Sequence, residues 1–173
     1  MNMKTLAIAV LLLVSRHAVG ETTTLSLPEG AALAFEGPKM VTLKEVNEDG
    51  RYQYVAASLG GTDTRFNLSV HVEPIDCQHG KSLKDVTRCF TDRMDQIPGV
   101  IKDSSSPHCD RRRCEIFYGM KMKVGEKTVL QLHANTLFTY RGAWVDVHFS
   151  ALNPDAKDSK VLAHFASTLK FAE

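Results

Sequence analysis

Hydrophobic and polar residues alternate along most of this chain. Between 66 and 72, Phe66, Leu68, Val70 and Val72 point one way, while Asn67, Ser69 and His71 point the other. A period of two marks a half-buried strand. The same alternation runs from 114 to 124, with Cys114, Ile116, Tyr118, Met120, Met122 and Val124 on one face. Segments 24–27, 40–46, 52–59, 128–140 and 143–151 also read as strands, and 100–102 as a short one. Turn signals separate them: Pro28-Glu29-Gly30, Asn47-Glu48-Asp49-Gly50, Gly60-Gly61-Thr62-Asp63, Gly125-Glu126-Lys127, Arg141-Gly142 and Asn153-Pro154. Asp-Gly between two apolar runs is a strong hairpin signal.

Two stretches change period. Leu83, Val86, Phe90, Met94 and Ile97 recur at helical spacing behind a Ser82/Asp85 capping pair, and Pro98-Gly99 stops the run. A second helix near the end buries Val161, Leu162, Phe165 and Leu169, with Asp158 or Ser159 as its expected cap. About six to eight strands in hairpins form a mostly antiparallel, twisted sheet, because tight turns join only antiparallel neighbours. Helices packed on that sheet make the class α+β.

The first twenty residues follow a different pattern. Lys4 precedes an apolar run from 6 to 14, and Ala18-Val19-Gly20 offers small residues to a signal peptidase. Nine apolar residues fall well short of the ~20 that a membrane span needs. The expectation is a cleaved signal at 1–20, one α+β domain at 21–173, and a periplasmic or secreted protein with no integral membrane segment after cleavage. Removing Lys4 and Arg16 leaves 19 basic against 20 acidic side chains, a formal charge of −1. That balance gives no argument for a nucleic-acid partner.

Export bears on the cysteines. The chain holds four: Cys77, Cys89, Cys109 and Cys114. In an oxidising compartment an even count favours two disulfides. Three pairings are open. Cys77–Cys89 with Cys109–Cys114 is preferred because each closes a local loop.

The order of elements resembles the PsbP and DcrB-like family of small exported or lumenal domains. The likeness rests on Leu25-Ser26-Leu27-Pro28, on Phe66-Asn67-Leu68-Ser69-Val70 leading towards a helix, and on the long terminal hairpin that runs into Ser167-Thr168-Leu169-Lys170-Phe171. It implies an antiparallel sheet with helices on both faces. It also implies an adaptor or binding scaffold rather than a particular activity. The four cysteines lie outside the family pattern.

No Gly-rich phosphate loop, nucleophile elbow or zinc-binding helix is present, so no catalytic residue and no cofactor are expected. Three surface features remain. A two-residue turn at Arg141-Gly142 sets Thr139 opposite Trp144, Leu137 opposite Asp146, Asn135 opposite His148 and His133 opposite Ser150. One sheet face then gathers His133, Asn135, Asp146 and His148, with cross-strand neighbours ~5 Å and diagonal ones ~7 Å apart. Such a set suits a divalent metal, a proton-transfer pair in a small hydrolase, or simply a polar sheet face. With a three-residue turn at 125–127, Phe117 joins Leu137 and Trp144 at an apolar end of that face. Either a helix or a partner in a larger assembly covers this end. The third feature is Asp110-Arg111-Arg112-Arg113, a cationic loop pinned at its base by Cys109–Cys114 and suited to an acidic protein partner. The leading expectation is a non-enzymatic binding protein, a cell-envelope accessory factor or a toxin-immunity protein.

Overall fold

Two hairpin turns set the register of the main sheet. At the first, Arg141 and Gly142 have φ of 47° and 80°. Positive φ at both positions defines the turn whose twist matches that of its flanking strands, and glycine adopts it freely. At the second, Gly125 alone is positive, at 62°. Val124 then pairs with Lys127, so this turn holds two residues, not three.

The computed structural model describes residues 21–58, 66–101 and 107–173. The expected signal segment at 1–20 lies outside these residues. So do the turn expected at 60–63 and parts of the segments expected at 52–59 and 100–102.

A seven-stranded sheet runs in the order β3-β4-β5-β9-β8-β7-β6. Its strands are β3 (Met40–Glu48), β4 (Arg51–Ser58), β5 (Phe66–Pro74), β6 (His108–Cys109), β7 (Cys114–Val124), β8 (Lys127–Tyr140) and β9 (Ala143–Leu152). Every neighbouring pair is antiparallel. Strands β1 (Glu21–Ser26), β2 (Ala32–Gly37) and β10 (Lys170–Ala172) form a second, three-stranded sheet in the order β1-β2-β10. Helices α1 (Leu83–Met94) and α2 (Ala156–Thr168) complete the order. The expected single sheet is thus corrected to two. Strand β2 escapes the sequence pattern because apolar residues sit on both of its faces, in Ala32-Leu33-Ala34-Phe35.

The main core lies between the large sheet on one side and α2 with β2 on the other. Rings of Phe66, Phe149, Phe165 and Phe35 follow one another through it, with centroids 5.4, 4.2 and 4.9 Å apart. Aromatic contacts of this kind contribute ~0.5–1.5 kcal/mol each beyond area burial. Asp155 caps α2, accepting from the backbone N–H of Lys157 and Asp158, while Asp158 reaches back to Asp155. The cap therefore precedes the expected Asp158 or Ser159. Placing it at Asp155 makes Asp158 the reciprocal partner three residues on.

The opposite face of the sheet is covered at one end by α1. Ser82 and Asp85 form the expected capping box. The helix ends at Met94, which leaves Ile97 beyond it and 46% exposed. Val86 and Met94 are buried, and Leu83 and Phe90 pack around Cys114, Ile116 and Leu137. Both disulfides follow the local pairing, Cys77–Cys89 and Cys109–Cys114. The first ties α1 to the segment leaving β5. Of the segment expected at 100–102, the described residues Val100 and Ile101 contribute a single bridge, Val100 to Met120, instead of a strand. Among the described residues no helix is long and apolar enough to cross a membrane.

Candidate functional site

The face beneath α1 carries the polar cluster. The β8–β9 ladder pairs Thr139 with Trp144, Leu137 with Asp146, Asn135 with His148 and His133 with Ser150, as the turn at Arg141-Gly142 requires. Strand β5 adds groups from the other side of β9, setting Ser69 against His148 and His71 against Asp146. That pairing joins segments nearly eighty residues apart, so no local signal announces it.

His133 Nδ1 and His148 Nε2 are 2.7 Å apart, and Ser69 Oγ lies 3.5 Å from His148 Nδ1. His133 Nε2 is buried without a hydrogen-bond partner. A buried orphan N–H costs more than an orphan acceptor. We therefore assign the proton of His133 to Nδ1, which donates to His148 Nε2 and leaves His148 Nδ1–H directed at Ser69. Tyr118 stacks on His133 at 4.5 Å and within 2° of parallel, and His133 in turn stacks on His148 at 4.9 Å.

Burial keeps both imidazoles neutral, lowering His133 to about 4 and His148 to about 3. Burial lowers His71 too. Asp146 moves the other way, pushed up to about 7 by desolvation and only partly restrained by the Asn135 side-chain N–H, which donates to it at 2.7 Å. The result is a neutral stack beside a carboxyl poised near neutrality. The facing nitrogens of His133 and His148 are spent on each other. Among the described residues no three His, Cys, Asp or Glu side chains are arranged to hold a metal ion. Ser69 stands on a strand paired on both sides, so the ladders engage the backbone donors that an oxyanion would need.

Phe117 does not join Leu137 and Trp144. The two-residue turn shifts β7 by one position, so Ile116 faces Asn135 and Tyr118 faces His133. A one-residue slip moves every side chain to the other face. Phe117 therefore points away, 37% exposed. Leu137 is fully buried and Trp144 half-buried, with Phe90 of α1 edge-on to the Trp144 ring at 6.4 Å. The protein's own helix covers this apolar end.

The arginine loop is ordered from within. Asp110 Oδ1 accepts from the backbone N–H of Arg112 at 2.6 Å and of Arg113 at 2.9 Å. These bonds, Arg112 first, hold its carboxyl below the usual carboxylate range. Arg113 turns inward. Its guanidinium donates to the Leu169 carbonyl at 2.9 Å and lies 2.9 Å from Glu115 as an ion pair. A cation there serves the free carbonyls at the end of α2. Arg111 and Arg112 alone remain exposed. Together with Lys170, Phe138 and Phe171 they border a groove of about 670 Å³.

No family model matches the chain, and no curated protein matches it in sequence. The fold is shared with solved structures. The Saccharomyces cerevisiae Ran-binding protein Mog1p is similar at a TM-score of 0.55 and 13% identity, over 87% of this chain and 95% of that one. LpqN, involved in cell envelope biogenesis of Mycobacterium tuberculosis, is similar at a TM-score of 0.51 and 11% identity, over 88% and 91%. A Bacteroides thetaiotaomicron protein has a TM-score of 0.50 and 10% identity over 87% of this chain, which spans only 48% of it. At these identities the likeness shows the fold alone.

Proposed function

We propose that this chain is an exported, non-enzymatic binding protein of the PsbP and DcrB-like kind, working in the periplasm or outside the cell. Its partner is a protein with an acidic surface that meets Arg111 and Arg112. In the cell this role is that of an envelope accessory factor or a toxin-immunity protein. The observation that carries the reading is the division of labour within the loop. The disulfide, the Asp110 turn and the Arg113 anchor fix the backbone, while two adjacent guanidinium groups are left in solvent. A pre-ordered loop loses less entropy on binding, and guanidinium groups match carboxylates in bidentate fashion. Two disulfides support an oxidising compartment. The shared fold of a Ran-binding protein and of an envelope-biogenesis protein supports a binding scaffold.

The test is quantitative capture from envelope extract of the source organism, using the mature oxidised chain and its R111S/R112S variant. The expected result is a partner with an acidic surface that the wild type retains and the variant loses by about tenfold, the effect of one strong charge-assisted contact. Equal retention by both proteins would remove the loop from recognition.

A further inference from the structure

A second cavity, sharing no lining residue with the arginine-loop groove, lies between α1 and the sheet. Its volume is about 280 Å³, just below the usual range for ligand sites. Trp144 and Phe90 form its apolar surface, beside the Cys77–Cys89 bridge. Its walls belong to rigid elements, because that disulfide holds α1 to the chain leaving β5.

The charges around the cavity are of both signs. Arg51 comes from β4 and Arg93 from the last turn of α1, and both are exposed. Glu73 stands directly across the ladder from Trp144, and Asp76 follows just beyond β5. Arg51 and Glu73 occupy the positions next to the Tyr52–Val72 pair, so they are neighbours on the sheet. Yet among the described residues no ion pair joins either guanidinium to either carboxylate. The negative charge of Glu73 is felt instead by Asp146 and His71, both of which it pushes upward. A small slot with one apolar wall is thus flanked by two unspent cations and two unspent anions.

We infer that this cavity binds a small zwitterion with an apolar side chain, such as a free hydrophobic amino acid or a dipeptide. The carboxylate meets Arg51 and Arg93, the ammonium meets Glu73 and Asp76, and the side chain lies on Trp144 against Phe90. A simple organic anion would leave the acids opposed to it, and a simple amine would meet the arginines. The ligand class follows from that mutual exclusion. This site is separate from the arginine loop, and either can fail without the other.

Trp144 is the chain's single tryptophan, so its emission reports on this cavity alone. The experiment titrates the mature oxidised protein with L-phenylalanine, 3-phenylpropionate and phenethylamine, following Trp144 emission and heat by calorimetry. The expected result is saturable binding of L-phenylalanine by both readouts, with each truncated analogue weaker by about tenfold or more, the loss of one charged contact. The R51S/R93S variant, changed only at exposed side chains, should keep its urea midpoint and weaken L-phenylalanine binding by about tenfold. Four outcomes would each overturn the assignment: no saturable binding in the millimolar range, an analogue binding as tightly as the amino acid, an unaffected variant, or heat without a response from Trp144.

Discussion

His133 Nδ1 and His148 Nε2 meet at 2.7 Å on a sheet face where burial holds both rings neutral, while Asp146 nearby is kept from ionising easily. The two kinds of group give stability opposite slopes with pH. Folded His133 and His148 take up a proton only near pH 4 and 3, against 6.5 for the unfolded chain. The unfolded state therefore binds more protons in that window, and stability falls as pH drops below about 6.5. For Asp146 the folded state holds its proton up to about pH 7, against 3.8 unfolded. Its contribution is complete below about pH 4 and is lost as pH rises through 7.

Replacing Asp146 by Asn removes the second slope and keeps an oxygen for the Asn135 side chain. D146N should match the wild type near pH 4 and exceed it near pH 8 by roughly 1–2 kcal/mol. This is less than the full shift would give, because Asp146 as a residue is only partly buried. Urea denaturation at the two pH values checks this, and an equal difference at both would show that Asp146 ionises freely.

The three consecutive arginines should behave unequally. Arg113→Ala removes the bond to the Leu169 carbonyl and leaves Glu115 without its cation, costing about 1–2 kcal/mol in urea denaturation. Arg111→Ser and Arg112→Ser should stay within about 0.5 kcal/mol of the wild type, since both side chains are exposed. A destabilised Arg112 variant with an undisturbed Arg113 variant would reverse the roles given to them.

The Cys77–Cys89 bridge closes a loop of sequence separation 12. Replacing both cysteines by Ser should cost about 3 kcal/mol, the chain-entropy value for a loop of this length. Thermal unfolding of the variant under oxidising conditions measures it. A loss no larger than that of an exposed Ser substitution would mean that packing of Val86 and Met94 alone holds α1 in place.

Much of this architecture is local and so can be read from the chain. Alternation places Phe66, Leu68, Val70 and Val72 on one face of β5. The turn at Arg141-Gly142 fixes which residues of β8 and β9 oppose one another, and with them the meeting of His133, Asn135, Asp146 and His148. Both disulfides follow from proximity in sequence. A tight turn and a short loop impose geometry before anything distant packs.

The tertiary structure decided the rest. The turn at Gly125 holds two residues, and that single position moved Phe117 off the face of Trp144 and brought Tyr118 over His133. The pairing of β5 with β9 delivered Ser69 and His71 to the cluster. The docking of Arg113 at the end of α2 reduced three equivalent arginines to two. The last two outcomes depend on contacts between segments far apart in the chain, whose free energy appears only when the layers close. The sequence alone thus determined which groups share a strand face, and the packing decided which of them stay neutral, which stay exposed and which can meet a partner.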